Sequence, residues 1–355
     1  AEPPGFFRGA EAVLWLERQL VDRAQRIYLV DARLHGEDLL QLRELLRLRL
    51  ANKIGEDSVK FLIEPAGTSQ DSTLSLVQQA VQGIDLDRLY RETDNTATRK
   101  REASNEWVLS GAHAVSGKPL LANDPHLGFS FPGVWYLARL VGPGFDIRGA
   151  TSPGSPAVVL GHNGTIGWGF TTTNLDSQDV FVERVDPTDP NRYITPDGAR
   201  SFGVREETIK VAWGDPVTMR VRETRHGPVI DDFVRRVEGM TPQGHVLALQ
   251  ATALDGADTS AEGFGRLGMA QNWEDFLGAA RKIVSPMQNM VYADTSGNIG
   301  LVSPARVPIR RKGDGSMPVP GWTSEFDWAG FVPFDELPRV YNPAGGIIVN
   351  ANARL

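Results

Sequence analysis

Ser104-Asn105-Glu106-Trp107-Val108-Leu109-Ser110-Gly111, continuing as AHAVSGKPLLANDPHLGFSFPGVWYLARL to Leu140, is the stretch on which the reading of the fold turns. It follows RETDNTATRKRE (91–102), a polar and charged segment with no apolar periodicity, which reads as an exposed connector within reach of a protease or of the protein itself. A serine at the start of a strand, directly after a cleavable linker, has one unusual chemical use. If the Ala103–Ser104 bond were cut, Ser104 would carry both a hydroxyl and a free α-amino group. An α-amine titrates at about 7.7–8.0, close enough to neutrality to serve as general base for its own hydroxyl. Nucleophile and base would then be one residue, with no separate histidine required. On residue type alone, a capping or turn serine is the favoured reading of Ser104.

Before this stretch the chain reads as helical. Gly9 to Arg26 places Val13, Leu14, Leu16, Leu20 and Ala24 at helical spacing, Glu37 to Lys53 is rich in Leu and Arg, and Ser72 to Tyr90 is a shorter third candidate. After it come short apolar segments broken by Gly, Pro, Asn and Asp. Strands are predicted at Trp107–Leu109, Leu120–Ala122, Ala157–Leu160, Thr165–Thr171, Val180–Val185, Ile209–Trp213 and Val246–Thr252. One helix is predicted from Asn272 to Ile283, with Asn272 as its N-cap. Residues 290–294 and 298–302, separated by Thr295-Ser296-Gly297, give the clearest hairpin signal. The organisation is a helical piece over 1–90, a connector over 91–103 and a strand-rich α+β unit over 104–355.

Composition narrows the function. The 355 residues carry 37 Lys+Arg against 44 Asp+Glu, a net charge of −7, and no basic run, which argues against nucleic acid as a partner. The chain has no Cys, so thiol catalysis, disulfides and cysteine-ligated metals are excluded. No run approaches the roughly 20 apolar residues of a membrane span. The sequence contains no Gly-x-Ser-x-Gly elbow, phosphate-binding Gly-rich loop or His-Glu-x-x-His motif. Its six His, at 35, 113, 126, 162, 226 and 245, lack ligand spacing.

From Ser104 onward the chain resembles the penicillin acylase family of N-terminal nucleophile hydrolases. The resemblance rests on ordered blocks: the opening stretch, GHNGTIGWGFTTTNLDSQDVFVERV (161–185), MVYADTSGNIG (290–300), GWTSEFDWAGF (321–331) and NPAGGIIVNAN (342–352). A weaker match, LLQLRELLRLRLANKIGEDSVKFLIEP (39–65), looks like the C-terminal part of the family's α chain. The resemblance implies a four-layer αββα sandwich preceded by a helical α-chain segment, with the nucleophile at the start of a central strand. It implies self-cleavage between Ala103 and Ser104, an α/β heterodimer of the two pieces, and Ser104 as nucleophile. His126 matches the position that orients the nucleophile, with Asn123 a weaker candidate in the same loop.

The oxyanion donors implied are the backbone N–H of Thr172 and the side chain of Asn352, with Asn350 the alternative if the register is two residues off. Each such donor is worth roughly 2.7–4 kcal/mol of barrier in a well-studied hydrolase. Asp176, Gln178 (through its carbonyl) and Asp179 fall where the family binds a structural calcium ion, for which hard oxygen donors are suited. Leu127, Phe129, Phe131, Leu160 and Phe170 flank these elements as acyl-pocket candidates. The substrate implied is a small acylated amide, such as a penicillin or an acyl-homoserine lactone, handled in the bacterial periplasm or outside the cell. A complete family member also carries more α chain before these helices and more β chain after Asn352, so this chain reads as truncated at both ends. Truncation motivates the alternative of a non-catalytic binding or assembly module; a carbohydrate-binding β protein rests on composition alone.

Overall fold

The computed structural model describes residues 103–127, 131, 133–155, 157–173, 175–233 and 241–353. The helices expected over 1–90 and the connector as far as Glu102 lie outside the described residues, so the division of the chain before Ala103 stays an expectation. In chain order the first strands are β1 (Ala103–Leu109), β2 (Leu120–His126), β3 (Tyr136–Gly142), β4 (Phe145–Thr151), β5 (Leu160–His162), β6 (Ile166–Thr172) and β7 (Gln178–Asp186). They are followed by β8 (Asp189–Thr195), β9 (Gly198–Ser201), β10 (Gly203–Ile209), β11 (Val217–Thr224), β12 (Gly227–Pro228) and β13 (His245–Ala251). Two helices, α1 (Ser260–Leu267) and α2 (Trp273–Ala280), precede β14 (Gln288–Asp294) and β15 (Ile299–Val302). The last are β16 (Pro308–Arg310), β17 (Val319–Pro320), β18 (Trp328–Phe331), β19 (Arg339–Tyr341) and β20 (Ile347–Asn350).

Three layers position the site. A seven-stranded sheet, ordered β19-β15-β14-β6-β5-β4-β3, is covered on one face by α1 and α2 and on the other by a three-stranded sheet, β2-β1-β20. Strand alternation explains why the central sheet is buried on both sides. On β6, Ile166, Trp168 and Phe170 face the helices, as do Met290 and Tyr292 of β14, and they pack on Leu267, Trp273, Phe276 and Ile283. Val291 and Ala293, one residue out of phase, face the three-stranded sheet and meet Val108 and Ile348. The Asn272 side chain accepts from the Asp275 N–H at 2.9 Å and caps α2 as the sequence predicts. Trp107, Leu120, Ile347 and Val349 lie exposed on the outer face of the three-stranded sheet.

Three predicted strands, 165–171, 180–185 and 246–252, fall within two residues of β6, β7 and β13, while 107–109 and 120–122 lie inside the longer β1 and β2, and the 290–302 hairpin pairs Met290 with Val302. Two differ. Residues Ala157 and Val159 precede β5, and their carbonyls accept from the Thr151 hydroxyl at 2.7 Å and the Trp168 indole N–H at 3.0 Å; side chains, not a ladder, satisfy them. The apolar run Val211-Ala212-Trp213 sits at the tip of the β10–β11 hairpin, because pairing of Gly203–Ile209 with residues 217–223 centres the loop on it. Trp213 is fully exposed there, at φ 64°.

One clasp locks the two sheets together beside the site. The Asn123 side chain accepts from the Phe170 N–H and donates to the Phe170 carbonyl, both at 2.9 Å, and also donates to the Asn105 carbonyl at 3.1 Å. Asn123 thus imitates a strand neighbour for β6 from across the layer. Gly169 makes room for it: a Cβ there would sit 2.8 Å from the Asn123 Cβ.

Candidate active site

Ser104 is the second residue of β1, opposite Pro125 of β2. On the other side, β20 pairs with β1 only as far as Glu106 opposite Asn350, so Ser104 lies just past the end of that ladder. The chain turns there with Asn352 in the left-handed region at φ 59°, and the Asn352 side chain donates to the Ser104 carbonyl at 2.7 Å. Asn350 turns inward instead. Its side-chain oxygen accepts from the Ala353 N–H at 3.1 Å and from Asn289 at 3.3 Å, and it lies 3.0 Å from the Thr171 hydroxyl. Of the two asparagines implied by the resemblance, Asn352 is therefore the one that reaches Ser104.

Thr172 ends β6 opposite Gln288, and its carbonyl accepts from Asn289 at 3.3 Å. Asn289 is held in turn by the Ser303 hydroxyl at 2.7 Å. The structure therefore joins the ends of β1, β6, β14 and β20 through one buried polar network. His126 lies opposite Ala103, diagonal to Ser104, with its ring half exposed and its Nε2 2.9 Å from Asp124.

The pocket candidates separate. Phe170 meets Phe264 edge-to-face at 5.8 Å, and Leu160 packs against the same cluster. Both belong to the helix-facing core, on the opposite face of the central sheet from Thr171 and β1, so strand alternation gives them a packing role there in place of the expected pocket role beside Ser104. Leu127 is partly exposed after β2, Phe131 is fully exposed, and Phe129 lies outside the described residues.

The calcium expectation can be tested against the donor set. Asp179 accepts from Arg310 Nε at 2.8 Å and from the Trp328 indole N–H, and Asp176 lies 3.4 Å from Arg310 Nη2. Both carboxylates and the guanidinium are largely buried. Among the described residues no three His, Asp or Glu side chains converge on a metal position. Among the described residues the positive charge facing Asp176 and Asp179 is the Arg310 guanidinium, and Gln178 lies within the β7 ladder opposite Ala251. Arg310→Met should therefore lower stability by about 3 kcal/mol, the cost of leaving buried carboxylates without their partner. An unchanged denaturant midpoint would show that another cation holds them.

Sequence reasoning missed Glu106. Its carboxyl is fully buried between the two sheets, with Oε1 3.2 Å from the Thr171 hydroxyl and Oε2 unpartnered among the described residues. Burial pushes it from 4.5 up to about 9, with Thr171 and the nearby Val291 backbone N–H offsetting part of that cost. The available signal was strand parity: Ser104, Glu106 and Val108 share a face, and an acid on the inward face of a core strand is unusual.

A helix layer over two stacked sheets, with a serine near the start of a strand in the second sheet, is the arrangement of the N-terminal nucleophile hydrolases. The thermostable penicillin G acylase from Alcaligenes faecalis shares it, at a TM-score of 0.62 and 32% identity, over 70% of this chain and 44% of that one. The chain belongs to the penicillin amidase family, whose model matches residues 23–355. Acyl-homoserine lactone acylase QuiP of Pseudomonas syringae pv. tomato is 31% identical over 322 residues, 88% of this chain and 38% of the relative. Penicillin G acylase of Escherichia coli is 35% identical over 251 residues, 70% of this chain and 28% of the relative. The chain thus spans well under half the length of these curated relatives.

Proposed function

We propose that the protein is an N-terminal serine amidohydrolase that removes the acyl group from a small acylated amine, a penicillin or an acyl-homoserine lactone being the substrate classes its relatives' names suggest. The observation that carries the reading is the Asn352 amide resting on Ser104, at the head of β1 and beyond the end of β20. It supports the reading because it puts a neutral donor on the main chain of the residue whose hydroxyl would react.

The chemistry runs in two stages. In the intact chain the Ser104 nitrogen is an amide and has no basicity. Attack of the Ser104 Oγ on the Ala103 carbonyl breaks the peptide bond, frees the Ser104 amine and leaves an ester; water then releases the Ala103 carboxylate and restores the Ser104 hydroxyl. That amine next takes the hydroxyl proton as Oγ attacks the substrate carbonyl. The oxyanion formed would be met by Asn352 Nδ2 and the Thr172 N–H, donors that need not reorganise during the step. The ammonium then protonates the departing amine, and water attacking the acyl ester regenerates Ser104. His126 would orient the nucleophile by turning from Asp124. Self-processing would leave an α/β heterodimer, in a periplasmic or secreted setting.

Intact mass of the full-length protein under denaturing conditions tests the first stage. Two chains broken before Ser104, together with release of free amine from an N-acyl homoserine lactone or penicillin G, are the expected result. One uncut chain that releases nothing would favour a binding or assembly module.

A further inference from the structure

Hydrogens around Thr171 can be counted. Its hydroxyl lies 3.0 Å from the Asn350 side-chain oxygen and 3.2 Å from Glu106 Oε1. The Asn350 oxygen is fixed as an acceptor, because the Ala353 N–H donates to it at 3.1 Å. Asn289 Nδ2, 3.3 Å from both the Thr171 hydroxyl and the Asn350 oxygen, donates as well and cannot accept. Thr171 has one proton to give and two oxygens facing it. If that proton goes to Asn350, the contact with Glu106 is a hydrogen bond only when Glu106 supplies the hydrogen.

We propose that Glu106 is a positioning residue held as a neutral acid, donating through Thr171 to the Asn350–Ala353 turn that presents Asn352 to Ser104. The inference rests on the reading of Ser104 as the nucleophile. The carboxyl's burial, its unpartnered Oε2 and its raised titration all agree with neutrality. Among the described residues the groups that bond it are the Thr171 hydroxyl on β6 and the Val291 N–H on β14, with Asn123 and Asn350 opposite it on β2 and β20, and none of these carries a charge. The Ser104 amine, two residues and roughly 7 Å along the strand, is the one charge that cleavage adds. An ionised Glu106 at that distance would favour the ammonium and withdraw the base; a neutral one leaves the amine free to accept the hydroxyl proton.

The test compares Glu106→Gln and Glu106→Leu in the full-length protein. Glutamine keeps a neutral donor, so hydrolysis at neutral pH should stay close to wild type, while leucine should lower kcat about 10²-fold through a displaced Asn352. Wild-type kcat should fall as pH rises through about 9, where Glu106 ionises, and Glu106→Gln should lack that limb. The Ser104 amine cannot produce it, since raising pH only frees the base. Glutamine as damaging as leucine, leucine without effect, or an alkaline limb that persists in Glu106→Gln would each overturn the proposal.

Stability separates this from a failure of the Ser104 reading. In the uncut Ser104→Ala background, the protonated carboxyl stabilises the fold fully below its unfolded value of 4.5. That stabilisation is lost as pH rises toward about 9, so stability should fall with pH relative to the same protein carrying Glu106→Gln. Equal pH dependence in the two would overturn a neutral Glu106 whether or not Ser104 is the nucleophile.

Discussion

Ser104→Ala should leave the full-length protein as one uncut chain and lower acyl release by more than about 10⁴-fold, since loss of a nucleophilic serine costs about 10⁶ in a serine protease whose other parts remain in place. Here the expected loss compounds. The same hydroxyl would cut the Ala103–Ser104 bond and attack substrate, and the base would exist only after the cut. The variant should nevertheless fold. Ser104 sits at the mouth of the ladder, partly exposed, and β1 is held by the β2 and β20 pairings and by Val108 in the core between the sheets. Its thermal midpoint should stay within a degree or two of the uncut precursor. Ser104→Cys provides a control, because a thiol is a competent nucleophile: it should still self-cleave even where turnover suffers. A Ser104→Ala protein that is cut and still turns over would end the proposed mechanism outright.

The sequence disclosed the parts of this fold that depend on local pattern. Short apolar runs bounded by turn residues marked β6, β7 and β13, the Thr295-Ser296-Gly297 turn marked the β14–β15 hairpin, and Asn272 marked the start of α2. What it concealed depends on pairing across layers. Asn123 fastens β2 to Phe170 47 residues away, and Arg310 reaches Asp179 across 131 residues. Neither residue type nor spacing announces such contacts. Trp213 misled for the opposite reason: an apolar run usually predicts a strand, yet the register of β10 on β11 put this one at a hairpin tip, where nothing covers it. Glu106 shows the middle case. Its parity with Ser104 and Val108 was in the sequence, but only stacking of β1 on β6 and β14 reveals that the carboxyl has no water to ionise into.

Asn352→Ala should give the second large effect, and of a different kind. The Asn352 amide donates to the Ser104 carbonyl and is the side-chain donor proposed for the oxyanion. Removing it should lower kcat by about 10²–10³-fold with KM little changed, because an oxyanion donor acts on charge that develops only in the transition state. Asn350→Ala supplies the contrast. That side chain is buried in the network of Thr171, Asn289 and Ala353, so its loss leaves inward-facing donors unpaired and should cost about 1–3 kcal/mol of stability. Asn352→Ala should thus lower kcat with stability nearly unchanged, whereas Asn350→Ala should cost stability first and, through the turn that presents Asn352, part of kcat as well. If Asn352→Ala instead destabilised the fold while turnover per folded molecule held, Asn352 would be a turn residue that merely closes the end of β1.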